Sequence, residues 1–252
     1  MHEREYLNRI NYAGSVEPSA TTLRALHLAH LESVPFENLD IHLGRPIELN
    51  LPALFDKIVV RHRGGFCYEL NGLFAWLLQR LGFEVTLLSA RDAHDDGDYG
   101  PEFDHLTLCV RTLSNPSCLW LTDVGWGDTF CEPLKIGQIS QQIQRGRAYR
   151  LEQDGDDYVL WQKNYDGTWE RHYRFTLQAR SYQDFAAMCR YHQTSAESLF
   201  VQKRICTRLT HDGRITLDAW RLITTTDGQR QEQLVDEESY HDILKVYFGV
   251  EV

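Results

Sequence analysis

Apolar residues recur at helical spacing through the first eighty positions and in short alternating runs after them. Leu23, Leu26, His30 and Leu31 fall on one helical face, with Ser19 placed as the cap. A second helical stretch, Pro52–Val60, carries Leu54, Phe55 and Ile58 and has proline in its first turn, where the fixed φ suits a helix. The strongest pattern runs from Cys67 to Leu81. There Leu70, Phe74, Leu77, Leu78 and Leu81 form one stripe, and Gly82 stops it. Beyond Gly82 the texture becomes short segments rich in Val, Thr, Leu, Tyr and Trp: Glu84–Ala90, His105–Val110, Leu119–Val124, Tyr158–Gln162, Trp169–Phe175 and Leu199–Ile205. Gly, Asn, Asp and Pro separate them, which predicts an antiparallel β region. Ser181–Tyr191 and Asp236–Phe248 read as helices within and after it.

The composition is that of a folded protein. With 252 residues, 42% hydrophobic, 25% charged and a mean hydropathy of −0.43, the chain is neither collagen-like nor disordered. No apolar run is long enough to span a bilayer, and Glu3, Arg4, Glu5 and Arg9 stand where a signal peptide needs an apolar core, so a cytoplasmic protein is expected. A net charge of −10 gives no general attraction to nucleic acid or membrane, and neither is expected as a partner. Six cysteines without a CxxC pair or a metal-like spacing read as reduced thiols, each a small hydrophobe or a nucleophile, with no metal.

One cysteine is placed for chemistry. Gly64 and Gly65 allow a sharp turn into the strong helix and set Cys67 in its first turn, where free N–H groups and the helix dipole favour a thiolate; Arg61 and Arg63 add positive charge nearby in sequence. A buried core thiol is the other reading of Cys67. A thiolate enzyme also needs a base and a group to orient it. His27, His30, His94, His192 and His241 lie in helical or polar stretches, whereas His105 opens an alternating strand and Asp123 sits in the next one, where Asp is uncommon. Ser114-Asn115-Pro116-Ser117 is a turn composition between them. A hairpin centred near Ser114 sets His105 directly opposite Asp123, close enough for the carboxylate to hold one imidazole tautomer. A one-residue slip would put them on opposite faces, and an incidental surface pair is then the reading.

Four phrases carry a family resemblance: Arg63-Gly64-Gly65-Phe66-Cys67-Tyr68-Glu69-Leu70-Asn71, Val34-Pro35-Phe36-Glu37-Asn38-Leu39-Asp40, Phe103-Asp104-His105-Leu106 and Thr122-Asp123-Val124-Gly125-Trp126-Gly127. With the opening Tyr6-Leu7-Asn8-Arg9-Ile10, they resemble the bacterial-type arylamine N-acetyltransferases over about the whole chain. The resemblance implies a Cys-His-Asp triad at Cys67, His105 and Asp123, the three residues reached from spacing. It implies an α+β fold in three parts: a helical bundle (1–83) bearing the nucleophile, a β-barrel-like middle (84–192) bearing His and Asp, and an α/β lid (193–252). It also implies acetyl-CoA as co-substrate, with Gly125, Trp126 and Gly127 near its pyrophosphate, and an arylamine or hydrazine acceptor against Phe36 and Phe200. Trp126 stands where the family commonly has Phe, and Ala196 where it often has Pro. Taken alone, Gly125-Trp126-Gly127 reads as a turn, Phe36 and Phe200 as core, and Arg145-Gly146-Arg147 and Lys203-Arg204 as solvated strand edge rather than phosphate contacts. The rival functions are a transglutaminase-like thiol hydrolase, an amide synthase of natural-product biosynthesis and a scaffold that kept the fold.

Overall fold

The computed structural model describes residues 1–252 except Ser114 and Tyr165. Its helical part comprises α1 (Glu3–Arg9), α2 (Ala20–Ser33), the two-residue strand β1 (Phe36–Glu37), α3 (Leu39–His42), α4 (Leu51–Phe55, continued as a π turn to Val60) and α5 (Cys67–Arg80). Ser19 caps α2 by accepting from the Thr22 N–H, and Asn50 caps α4 in the same way. Gly82, at φ +89°, ends the α5 region in the left-handed conformation glycine permits.

Eight antiparallel strands follow: β2 (Glu84–Asp92), β3 (His105–Thr112), β4 (Asn115–Thr122), β5 (Leu134–Lys135), β6 (Gln142–Gln144), β7 (Arg147–Asp154), β8 (Asp157–Lys163) and β9 (Trp169–Thr176). Their order is β5-β4-β3-β2-β9-β8-β7-β6. The edge strands β5 and β6 are joined by the Gln142 side chain, which accepts from Lys135 N and donates to Lys135 O, so the sheet is a nearly closed barrel. Leu88, Ala90, Leu121, Phe130, Tyr149, Leu160 and Tyr173 fill its interior. The strand β3 is buried on both faces because α5 covers the outer one, and Leu106, Leu108 and Val110 join the helical core.

The predicted helix at Ser181–Tyr191 is a short 3₁₀ turn, Tyr182–Phe185, leading into α6 (Ala186–Thr194). The predicted strand Leu199–Ile205 is corrected. Ser198 caps a helical turn, α7 (Leu199–Gln202), and Asn38 binds the Phe200 and Lys203 carbonyls, so the strand starts only at Ile205. A short apolar run cannot by itself separate the two outcomes. The remaining strands, β10 (Ile205–Leu209), β11 (Gly213–Asp218), β12 (Arg221–Thr226) and β13 (Gln229–Leu234), form a second sheet ordered β1-β10-β11-β12-β13. The closing helix is α8 (Glu237–Ile243), capped by Asp236, and a π turn to Phe248; Tyr240, Leu244 and Phe248 cover this sheet. Among the described residues no helix is long and apolar enough to cross a membrane.

Candidate active site

Cys67 is the first residue of α5 and is buried. Glu69 closes the helix start, its Oε2 accepting from the Phe66 N–H at 3.1 Å. The glycines before it serve close packing rather than a left-handed turn. A Cβ on Gly64 would collide with the Pro35 carbonyl, and one on Gly65 would lie 2.7 Å from Glu69 Oε2. The positive φ in this loop belongs to His62, at 55°.

Nor do the neighbouring arginines lend their charge to the thiol. Arg61 pairs with Asp56, and Arg63 is buried against Glu37 Oε1 at 2.8 Å and Asp40 Oδ1 at 3.1 Å. Lys57 joins Asp40 Oδ2 (2.7 Å) to Glu69 Oε1 (2.8 Å), so three acids and two bases lock α3, α4 and the start of α5 together. Burial pushes Glu69 up to about 6 despite Lys57. Arg63→Met therefore leaves Glu37 as an uncompensated buried charge and should cost about 3–5 kcal/mol in urea unfolding. Arg111→Ala, which breaks an exposed pair with Glu84, should cost under about 1 kcal/mol.

His105 and Asp123 meet, though not as directly opposed residues. The predicted hairpin centre, Ser114, lies outside the described residues. The ladder pairs Leu108 with Thr122 and Cys109 with Leu121, then shifts between Arg111 and Thr112. Continued past Thr122, it sets Asp123 opposite Thr107, two residues from His105. An even offset keeps both side chains on one face, and the diagonal neighbours still touch: His105 Nε2 lies 2.6 Å from Asp123 Oδ2. The same imidazole hydrogen-bonds the Cys67 thiol.

Asp123 is fully buried and well supplied with donors. Tyr173 OH donates to Oδ2 at 3.0 Å, while Asn71 Nδ2 (2.8 Å) and the Gly125 N–H (2.9 Å) donate to Oδ1. His27, buried beside Asp123, donates from Nδ1 to Cys131 O at 2.9 Å, while its Nε2 lies 2.9 Å from Asp123 O and 3.3 Å from the Asp123 backbone N, whose N–H it accepts. Sequence reasoning missed His27 and Tyr173 as supports. Asn71 had a usable signal, because it lies four residues after Cys67 and so on the same helix face.

The charges follow from these contacts. Burial works against the Asp123 charge, but His105, Asn71 and Gly125 hold the carboxyl below its ordinary value. Burial likewise works against a charged His105, yet the Asp123 carboxylate and the Cys67 thiol hold it well above the usual histidine range. Burial pushes the Cys67 thiol up, opposed by the hydrogen bond and charge of His105. The imidazole is thus the seat of the shared proton, and the thiol is the group whose ionisation depends on it.

The other sequence candidates gather round this line. A Cβ on Gly125 would lie 2.8 Å from Cys67 Cα, so the loop after β4 packs directly on the cysteine. Trp126 meets His105 edge-on at 5.0 Å and stacks on His172 at 5.5 Å. Gly127, at φ +96°, faces Phe36, whose ring centre is 6.2 Å from that of Phe200. The basic runs are engaged elsewhere: Arg145 with Glu32, Arg147 with Asp128, Lys203 with Asp218, and Arg204 over the Trp220 and Tyr240 rings. Among the described residues no cluster of three or more His, Cys, Asp or Glu side chains is arranged to hold a metal.

Comparison with known proteins points the same way. An N-acetyltransferase family model matches residues 19–252. The chain is 38% identical over 242 residues to the arylamine N-acetyltransferase, pineal gland isozyme NAT-3, of Gallus gallus, covering 88% of this chain and 82% of that protein. It is 34% identical over 251 residues to the arylamine N-acetyltransferase of Escherichia coli strain K12, covering 98% and 88%. The arylamine N-acetyltransferase structure from M. tuberculosis superposes with a TM-score of 0.93 at 33% identity, covering 100% of this chain and 94% of that one. The Mycobacterium marinum arylamine N-acetyltransferase in complex with CoA gives 0.92 at 32%, covering 99% and 93%.

Proposed function

The chain belongs to the arylamine N-acetyltransferase family, and from that membership we propose how it moves an acetyl group from acetyl-CoA to the nitrogen of arylamines: through a thioester on Cys67. The observation that carries this reading is the buried hydrogen-bonded line from Cys67 through His105 to Asp123. The Cys67 sulfur attacks the thioester carbonyl while His105 carries the thiol proton. The carbonyl oxygen takes the developing charge and is met by the Cys67 N–H and a neighbouring N–H at the start of α5, groups without partners inside the helix. The C–S bond to CoA breaks, His105 protonates the departing thiolate, and acetyl-cysteine remains.

One thioester is exchanged for another, so the acyl group is stored nearly without loss. A neutral amine then attacks, His105 takes its proton, the amide leaves, and the cysteine is regenerated. Arylamines and hydrazines suit this step because aliphatic amines are mostly protonated near neutral pH. In this reading residues 1–83 supply the nucleophile, 84–192 the His and Asp, and 193–252 the lid. Gly125, Trp126 and Gly127 border the CoA side, and Phe36 with Phe200 receives the acceptor ring.

Mixing the protein with acetyl-CoA and no acceptor should add one acetyl group, found by mass spectrometry on the peptide containing Gly64–Asn71 and removed by an arylamine. Initial-rate plots should give the parallel lines of double displacement. Acetyl on Cys109 or Cys206 instead overturns the nucleophile, and ester hydrolysis indifferent to amine supports a thiol hydrolase.

A further inference from the structure

Asp92, the last residue of β2, has no part in the mechanism above. Ala90 lies opposite His105 on β3, and Asp92 lies opposite Tyr173 on β9. Alternate residues of a strand share a face, and so do directly opposed ones, so Asp92 points to the face that carries His105 and Tyr173. That face holds the reacting groups, since His105 bonds Cys67 and Asp123, and Tyr173 bonds Asp123.

The charges that act most strongly on Asp92 are those of Asp104, His105, His192 and Asp123. Each imidazole is already matched with another acid: His105 with Asp123, and His192 Nε2 with Asp104 Oδ1 at 3.1 Å. Asp92 is the carboxyl left over. Its Oδ1 is shielded from water and has no hydrogen-bond partner, whereas part of the residue's surface is open. Folded proteins nearly always supply such an oxygen with a donor. Cys67, Tyr68 and Tyr173 are close enough to feel its charge, and His192 packs against Phe200 at 5.1 Å, which links this acid group to the aromatic pair Phe36 and Phe200.

We propose that Asp92 determines which acceptors are taken: its ionised carboxylate receives an N–H from arylamines and hydrazides bearing an additional donor, and repels acceptors that carry a carboxylate of their own. The inference rests on the acetyl-transfer reading above. Burial, with the Asp104 charge next, pushes Asp92 up to about 7, so the repulsion is present above neutrality and fades as pH falls.

The test compares kcat/KM for aniline and for 4-aminobenzoate from about pH 6 to about pH 8.5, where the carboxylate of the second acceptor stays ionised. Both amines intercept the same acetyl-enzyme, so the titrations of Cys67 and His105 cancel in the ratio. In the wild type the preference for aniline should rise with pH by on the order of tenfold, the size of a like-charge contact in a partly screened pocket. In Asp92→Asn it should be low and flat. A flat ratio in the wild type, or a pH-dependent one in Asp92→Asn, overturns the inference; if the variant fails to fold, the wild-type series decides alone. Wild-type protein that forms no acetyl-enzyme from acetyl-CoA overturns the acetyl-transfer reading and this inference with it. A normal acetyl-enzyme with a flat ratio overturns this inference only.

Discussion

Asp123→Asn should lower acetyl transfer by about four orders of magnitude while the fold survives, the size of loss seen when an orienting carboxylate becomes an amide in comparable triads. The amide keeps the shape but not the charge. Asp123 is the group that holds His105 well above the ordinary histidine range against the effect of burial. Without it burial prevails, the imidazole loses its proton, and that proton stays on sulfur. An amide can also present an N–H to His105 Nε2 and select the wrong tautomer.

The sign can be followed through Cys67 alkylation. In the wild type a charged His105 supports thiolate near pH 6–7, below the unperturbed thiol value of about 8.5. In the variant the rate should collapse there and recover only above that value, because burial pushes the thiol up once His105 no longer opposes it. An unchanged alkylation profile in Asp123→Asn would mean that the carboxylate is structural and that another group orients His105.

Cys67→Ala should reduce turnover by about 10⁶, the scale of losing a nucleophile from a triad. No acetyl-enzyme should form. The substitution removes one sulfur from a site where Gly125 already packs against the Cys67 backbone, so the helix start and its Glu69 cap should persist. A circular dichroism spectrum and melting temperature close to wild type, together with the absence of the acetylated Gly64–Asn71 peptide, separate a lost nucleophile from a lost fold. Retained double-displacement kinetics in this variant would move the thioester to another cysteine. All six are unpaired and buried.

Local periodicity alone determined several features of this protein. The apolar stripe from Leu70 to Leu81 made α5, the Ser19 cap marked the start of α2, and the glycine pair set Cys67 in the first turn of α5. Placing His105 opposite Asp123 rested on an assumed turn centre; the actual register differs by two positions, and the pair shares one face because an even offset leaves the face unchanged. The phrases around those three residues identified the family. The actual register was decided in three dimensions, by the irregularity between Arg111 and Thr112 that no residue type announces. The same holds for β13, whose Gln-Arg-Gln-Glu-Gln-Leu is exposed throughout and is a strand only because it pairs with β12. It holds too for His27, Tyr173 and Asp92, ordinary residues of a helix and two strands until the barrel closes and α2 and α5 pack against it. Hydrogen bonds between residues such as Asp123 and His27, 96 positions apart, leave no mark on the spacing of side chains along the chain. Where a polar group is buried, and with which partner, is settled by the tertiary packing that removes it from water.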